Sequence, residues 1–451
     1  MTQGNKSYWL TSGIYTILQR FSTLVFNFGS TSLLYRIFSD NQDELGTWGL
    51  FLSVVSIIEV ARSGLIQNAV VRHLSIAPKE EHGNIISSSL ILNILLSLLS
   101  IILLIAGSHF LSVFALKAPG LEILLYYYII TTLILLPFFQ FQYIQQANLD
   151  FKGVFWGMFC RQGLFFIVIL IFYIIGYKPT LLNLVHLQTT AALLGALVGY
   201  QFTKKFLVIT TKINKEWVVK LFNFGKFGFI TNLSSIVSGS IDQFMLSNLI
   251  GTTAVPQQRA ALQVTNAVEV PTNAMADIVF PQSARRMHTD GKEAVKYLYE
   301  KSVGVILGII VPFLTFVVLF PDFIIDIVTG GKVYHQAALI LQIAAIYTAI
   351  IPFDRQAGVI FDSTGRQKMN FYLQIAAMFI NFLTNLFFIK NFGIIGAAYG
   401  SLTTYVISFI TKQLILRYLY GVEITSIFKQ SLNFYADMYK LFCNKILKRQ
   451  L

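Results

Sequence analysis

About a dozen apolar stretches, each long enough to cross a lipid bilayer, fall along this chain in two matching sets of six, separated by a basic segment from Lys204 to Lys226. A bilayer core about 30 Å thick needs about 20 helical residues at a rise of about 1.5 Å each. By that measure the stretches lie at roughly 14–38, 47–68, 85–106, 121–147, 153–175, 181–203, 222–249, 255–281, 297–320, 336–361, 369–389 and 394–418. Hydrophobic residues make up 55% of the 451 and charged residues only 12%. That leaves too little polar surface to cover a soluble protein of this size, so lipid has to cover most of it. The expectation is an all-α integral membrane protein with about twelve transmembrane helices in two pseudo-symmetric six-helix lobes around a central cavity. Its parts would be a first lobe at 1–203, a basic cytoplasmic linker at 204–221, a second lobe at 222–418 and a cytoplasmic amphipathic tail at 419–451.

The two halves agree in detail. The fourth stretch carries Leu135-Leu136-Pro137-Phe138-Phe139 and the tenth carries Ile350-Ile351-Pro352-Phe353-Asp354. The sixth holds Gly195 and Gly199, and the twelfth Gly396 and Gly400, pairs that let helix backbones approach closely. Because six is even, both halves enter the membrane from the same side, which predicts an axis along the membrane normal and a transport path between the halves. Pro256, Pro271 and Pro281 in the eighth stretch read either as gating bends or as ordinary membrane-helix prolines.

Lys and Arg set the orientation, because cytoplasmic loops retain positive charge during insertion. About 28 of the 34 fall on one side. They include Lys204, Lys205, Lys212, Lys215, Lys220 and Lys226 in the linker region and Lys440, Lys445, Lys448 and Arg449 at the end. Both termini are therefore expected in the cytoplasm, with no cleaved signal peptide. The formal charge of +13 is accounted for by this pattern, and nucleic-acid binding is not expected. Trp9, Trp48, Trp156 and Trp217 fall near span ends, where interfacial rings belong. The tail alternates apolar groups and lysines at helical spacing and is expected on the inner membrane surface.

Charged side chains in spans are costly, about 2.5–3.5 kcal/mol each at mid-bilayer, and so mark function by default. The candidates are Arg20, Glu59 and Arg62, Asp242, Arg259, Glu269, Asp277, Asp354 and Arg355, with polar Gln142 and Asn232 beside them. Arg20, Arg62, Arg259, Glu59, Gln142 and Asn232 form the expected substrate-binding set. Asp242, Glu269, Asp277 and Asp354 form the expected coupling set for a proton or sodium ion, with no other cofactor. Local pairing of Glu59 with Arg62, three residues apart, competes with the substrate role. Arg36, Arg161 and Asp322 read as interfacial. No catalytic residue or metal site is expected: the chain has no phosphate-cradling Gly-rich loop or His-Glu-x-x-His pair, and Cys160 and Cys443 lie far apart. The chain reads as a transporter, not an enzyme.

The segments Leu34-Tyr35-Arg36-Ile37-Phe38-Ser39, Gly46-Thr47-Trp48-Gly49-Leu50 and Gly64-Leu65-Ile66-Gln67-Asn68-Ala69-Val70-Val71-Arg72 resemble the first two spans of the bacterial polysaccharide biosynthesis flippases. Asn223-Phe224-Gly225-Lys226-Phe227-Gly228 and Asp242 to Gly251 resemble the same family's second half. The resemblance implies the multidrug/oligosaccharidyl-lipid/polysaccharide exporter (MOP) superfamily, with a MATE-like fold working by alternating access. It also implies a substrate, an oligosaccharide on undecaprenyl pyrophosphate, moved across the bacterial cytoplasmic (inner) membrane for O-antigen, capsule or exopolysaccharide. Membrane lipids, a polysaccharide polymerase and glycosyltransferases would be its partners. Lipid II flippases are similar in carrying arginines on the first, second and eighth spans, where Arg20, Arg62 and Arg259 stand here. A permanently charged, forked guanidinium suits a pyrophosphate. The alternative is a multidrug or cation exporter of the same superfamily with ion antiport.

Overall fold

In lipid, a backbone satisfies its own polar groups most directly as a helix. The computed structural model describes residues 3–208, 210, 214–331 and 334–447, and only the backbone of 3–13, 227, 231, 288, 335, 437, 438 and 441–447; all regular structure among the described residues is helical. Lys212, Lys448 and Arg449, named above as orientation signals, lie outside them. Nine helices among the described residues are long and apolar enough to cross a membrane, which makes this a multi-pass membrane protein. The stretches expected at 14–38, 222–249 and 255–281 are helical too but are not among the nine. By that measure the expected count of twelve is not reached.

Two compact units divide the chain, Met1–Pro256 with Val328–Gly331, and Gln257–Ile327 with Lys332–Leu451. The first contains α1 (Gln3–Ile37), α2 (Gln42–Ile76), α3 (Lys79–His109), α4 (Gly120–Ala147), α5 (Phe151–Ile174), α6 (Leu181–Thr203) and α7 (Lys215–Leu249), with a π-helical turn at Phe110–Ala115. Short polar side chains start several of these helices by accepting otherwise orphaned backbone N–H groups. Asn41 accepts from Glu44 N at 3.3 Å, Thr180 from Asn183 N at 3.3 Å, and Asn214 from Glu216 N at 3.0 Å. The glycine pairs work as the sequence suggested. A Cβ on Gly195 would lie 3.0 Å from the carbonyl of Gly157 on α5. The α7 helix, the first of the second half by repetition, packs on α2 and α3.

The second unit continues from α8 (Ala254–Thr265), whose first turn lies in the first unit, through α9 (Glu269–Thr289), α10 (Gly291–Leu319), α11 (Pro321–Thr329), α12 (His335–Thr348), α13 (Ile351–Ser363), α14 (Gln367–Phe392), α15 (Ile394–Tyr420) and α16 (Ile424–Leu447). Proline punctuates it. A 3-10 turn at Asn266–Val268 separates α8 from α9 just before Pro271, which has no N–H to bond the carbonyl four residues back. The tenth stretch is likewise interrupted between Thr348 and Ile351, ahead of Pro352, whereas Pro137 is carried inside an unbroken α4. The repeated prolines therefore do not bend their helices alike.

The tail is built into the second unit. Buried Glu300 on α10 accepts Glu423 N at 2.9 Å and Ser426 Oγ at 2.8 Å, capping the start of α16. From there α16 runs parallel to α10: Gly304 faces Ile427, Gln430 and Ser431, and Gly308 faces Phe434. Small residues allow that approach, and α16 lies along α10 for about two turns. Glu300→Ala is expected to loosen α16 by about 1–3 kcal/mol, the cost of losing two part-buried hydrogen bonds to a carboxylate. Tryptic cleavage in detergent at Lys429 should speed up; an unchanged rate would contradict the docking.

Candidate functional site

In the first unit, Glu59 and Arg62 of α2 and Arg161 of α5 come together beside α4. Arg62 is only 3% exposed. Its Nη1 donates to Ser97 Oγ on α3 at 3.2 Å and to the carbonyl of Thr132 on α4 at 3.3 Å, and its guanidinium lies 4.9 Å from the centre of the Phe139 ring. Glu59, one turn earlier on α2, turns elsewhere. It accepts Tyr128 Oη at 2.7 Å and pairs with Arg161 of α5 at 3.2 Å. Arg161 in turn stands 5.2 Å from the Phe138 ring. Phe138 and Phe139, from the repeated motif, thus each present a ring face to a guanidinium, an attraction of electrostatic origin.

This arrangement bears on two readings of the sequence. Glu59 and Arg62 share a helix face but take different partners, because α4 and α5 bring better ones within reach. Arg161, read as interfacial, is the ion-pair partner of Glu59. Its place well inside the fifth stretch was the available signal. The cluster of Arg62, Arg161 and Glu59 carries two positive charges and one negative, and no carboxylate among the described residues lies within ion-pair distance of Arg62. A net positive charge so placed favours an anion over a cation.

The other candidates of this unit are spread out. Arg20 is exposed on α1, Gln142 is buried on α4, and Asp242 is buried on α7. Asn232 on α7 packs over Gly64 of α2, where a Cβ would lie 2.9 Å from Asn232 Nδ2.

In the second unit, Asp354 of α13 meets the ammonium of Lys412 on α15 at 2.6 Å and the hydroxyl of Ser408 at 2.6 Å. The Lys412 side chain is 3% exposed. Nearby, Tyr299 of α10 donates to the carbonyl of Phe353 at 3.3 Å and receives Gln413. Lys412 was missed in the sequence; a lone lysine within an otherwise apolar span was the clue. Arg259 is half-buried on α8, and Glu269 and Asp277 are exposed on α9. Both copies of the Pro-Phe motif therefore carry the charge clusters, one with aromatic faces for arginines, the other with a carboxylate for a lysine.

A family model for polysaccharide biosynthesis proteins matches residues 52–287, more than half of the chain. The chain belongs to this family. The MatE family model also matches, over residues 229–387. Among its relatives in sequence is the "Probable low-salt glycan biosynthesis flippase Agl15" of Haloferax volcanii, 19% identical over 188 residues, which are 42% of this chain and 40% of that protein. The chain spans under half the length of the relatives it matches in sequence, 46% and 40%. Solved structures share the fold, two of them as follows. An inward-facing multidrug resistance MATE family transporter of the MOP superfamily superposes with a TM-score of 0.76 at 18% identity, over 88% of this chain and 95% of that one. The lipid II flippase MurJ in an inward closed conformation gives 0.74 at 15% identity, over 96% and 92%. The polysaccharide biosynthesis family and the MATE-like fold expected from the sequence are thus both found.

Proposed function

We propose that this protein flips an oligosaccharide repeat unit carried on undecaprenyl pyrophosphate from the cytoplasmic to the outer face of a cytoplasmic (inner) membrane, by alternating access, for a cell-surface polysaccharide such as O-antigen, capsule or exopolysaccharide. The observation that carries this reading is the net positive cluster of Arg62, Arg161 and Glu59 in the first unit. A transporter of organic cations calls for an uncompensated carboxylate there, and Glu59 already has Arg161 and Tyr128. Family membership points the same way.

In this reading the roles of the arginines divide. Arg62, enclosed by α3 and α4, acts through its field, drawing a pyrophosphate head by positive potential without touching it. Arg20, exposed on α1, and Arg259 on α8 make the contacts, Arg259 holding or releasing the head after reorientation. Gln142 and Asn232 are left for sugar hydroxyls. If a proton or sodium ion drives the cycle, Asp242, Glu269, Asp277 and Asp354 are its candidate seats, with Asp354 next to the ammonium of Lys412. The chemistry stays that of a transporter, with both termini cytoplasmic and a polymerase and glycosyltransferases acting on the same glycan.

The test is lipid-linked glycan analysis of cells lacking the protein. Accumulation of the undecaprenyl-linked oligosaccharide on the cytoplasmic face, reversed by the intact gene, is expected. Arg20→Ala, Arg62→Ala and Arg259→Ala should each lower export about tenfold or more at normal protein levels. Full export by all three would remove the arginine assignment. Unchanged glycans together with heightened sensitivity to cationic drugs would favour the exporter reading, which the MatE match over 229–387 keeps in view.

A further inference from the structure

Several basic side chains at helix ends on the side that the lysine and arginine distribution assigns to the cytoplasm have an acid beside them. Lys205 pairs with Asp150 at 2.7 Å, and Lys296 with Glu423 at 3.7 Å. Arg72, His73 and Lys220 are arranged differently, around two aromatic rings. Near the start of α7, Trp217, Lys220 and Phe224 follow one another at three- and four-residue spacing, which puts them on one face of the helix. That face meets the last turns of α2. His73 meets the rings of Trp217 and Phe224 edge-on, both at 5.6 Å. The Arg72 guanidinium stands 4.7 Å from the Phe224 ring centre, and the Lys220 ammonium 4.1 Å from that of Trp217. Each ring therefore steadies one cation, and both rings touch the imidazole between them.

No carboxylate among the described residues lies within ion-pair distance of Arg72, His73 or Lys220; Glu216, next to Trp217 in the chain, makes no ion pair with them. Cations gathered without an acid repel one another, and an anion among them relieves that repulsion. Arg72 and Lys220 are exposed, so such an anion can reach them from outside the protein. Trp217 sets the depth, because tryptophan at a helix end favours the headgroup layer. The anion of that layer is a lipid phosphate, whose several oxygens can accept at once from a forked guanidinium, an ammonium and an imidazole N–H. Arg72 stands about 15 Å of helix beyond Arg62, so this cluster is distinct from the one around Glu59.

We propose that Arg72, His73 and Lys220, held by Trp217 and Phe224, form a binding site for the anionic phosphate headgroup of a lipid. The site does not depend on the flipping reading above. Two kinds of lipid present this chemistry, an anionic phospholipid of the surrounding bilayer and a polyprenyl pyrophosphate.

The test follows phosphatidylglycerol labelled on its acyl chain as it binds the full chain in neutral detergent, by fluorescence anisotropy. It should bind about tenfold or more tightly than phosphatidylcholine labelled in the same way. Arg72→Gln with Lys220→Gln should weaken that binding about tenfold, whereas Lys292→Gln with Lys368→Gln, at two exposed lysines of the second unit, should change it less than about twofold. Phe224→Leu keeps every charge but removes a ring face, and should weaken binding about threefold. Equal binding of phosphatidylcholine, or the same loss in both double variants, would overturn the site and leave only the diffuse attraction of a basic surface. If the Arg72 and Lys220 double variant melts earlier than the parent, the unaltered protein decides. Inorganic pyrophosphate should then displace the labelled lipid where sodium chloride of equal ionic strength does not, and equal displacement by both refutes the site. Unlabelled undecaprenyl pyrophosphate and phosphatidylglycerol, compared as competitors, identify which lipid is the better occupant.

Discussion

Replacing Lys412 with alanine is expected to destabilise the second unit by about 3–5 kcal/mol, the cost of leaving a buried charge without its partner. The lysine reaches Asp354 from α15 at 2.6 Å with its side chain 3% exposed, so Asp354 would keep only Ser408. Removing both charges is a different matter. Lys412→Met combined with Asp354→Asn exchanges an ion pair for groups that need no counter-charge, and most of the lost stability should return. Thermal unfolding of the detergent-solubilised protein measures both. A Lys412→Ala protein as stable as the parent would show that the pair does not hold α13 to α15.

The second large effect is expected at Arg161. Arg161→Ala leaves Glu59 with Tyr128 alone and should cost about 3 kcal/mol. It also removes one of two positive charges from the cluster, so export should fall beyond what lower protein levels explain. The double variant Glu59→Gln with Arg161→Gln keeps the net charge of the cluster and should restore both stability and export. Stability without export in the double variant would mean that Arg161 acts on the cargo directly, not by neutralising Glu59.

These two residues show what a linear reading sees and misses. That Glu59 and Arg62 share a helix face follows from their spacing, which left their mutual pairing as a reading that competed with a substrate role. Only the packing of α4 and α5 against α2 could show that Arg161 and Tyr128 take the carboxylate while Ser97 and the Thr132 carbonyl take the guanidinium. Trp48 teaches the same lesson. Its position near a span end suggested an interfacial ring, yet it is buried and stacked on Phe51. Interfacial preference is a property of a residue type, whereas burial here comes from packing that includes Phe165 of α5, stacked on Trp48 at 6.5 Å.

The tail and α7 make a related point. The amphipathic pattern of α16 is real, but it does not specify what the apolar face meets; Glu300 and the Gly304 and Gly308 notch on α10 decide that. Likewise the repeat assigns α7 to the second half by order, whereas backbone approach at Gly225 and Gly228 joins it to α2.

Hydrophobic length, the spacing of glycines and prolines, and the distribution of lysine and arginine determined by themselves that this is a helical, multi-pass membrane protein; the polysaccharide biosynthesis family was legible only as a resemblance of short segments such as Gly64 to Arg72. Those are local quantities, set by the transfer of short segments into lipid. Which charge meets which, where a proline breaks its helix, and which body α7 joins were decided by tertiary structure alone. They depend on contacts between residues about 50 to 200 positions apart, and no periodicity along the chain encodes them.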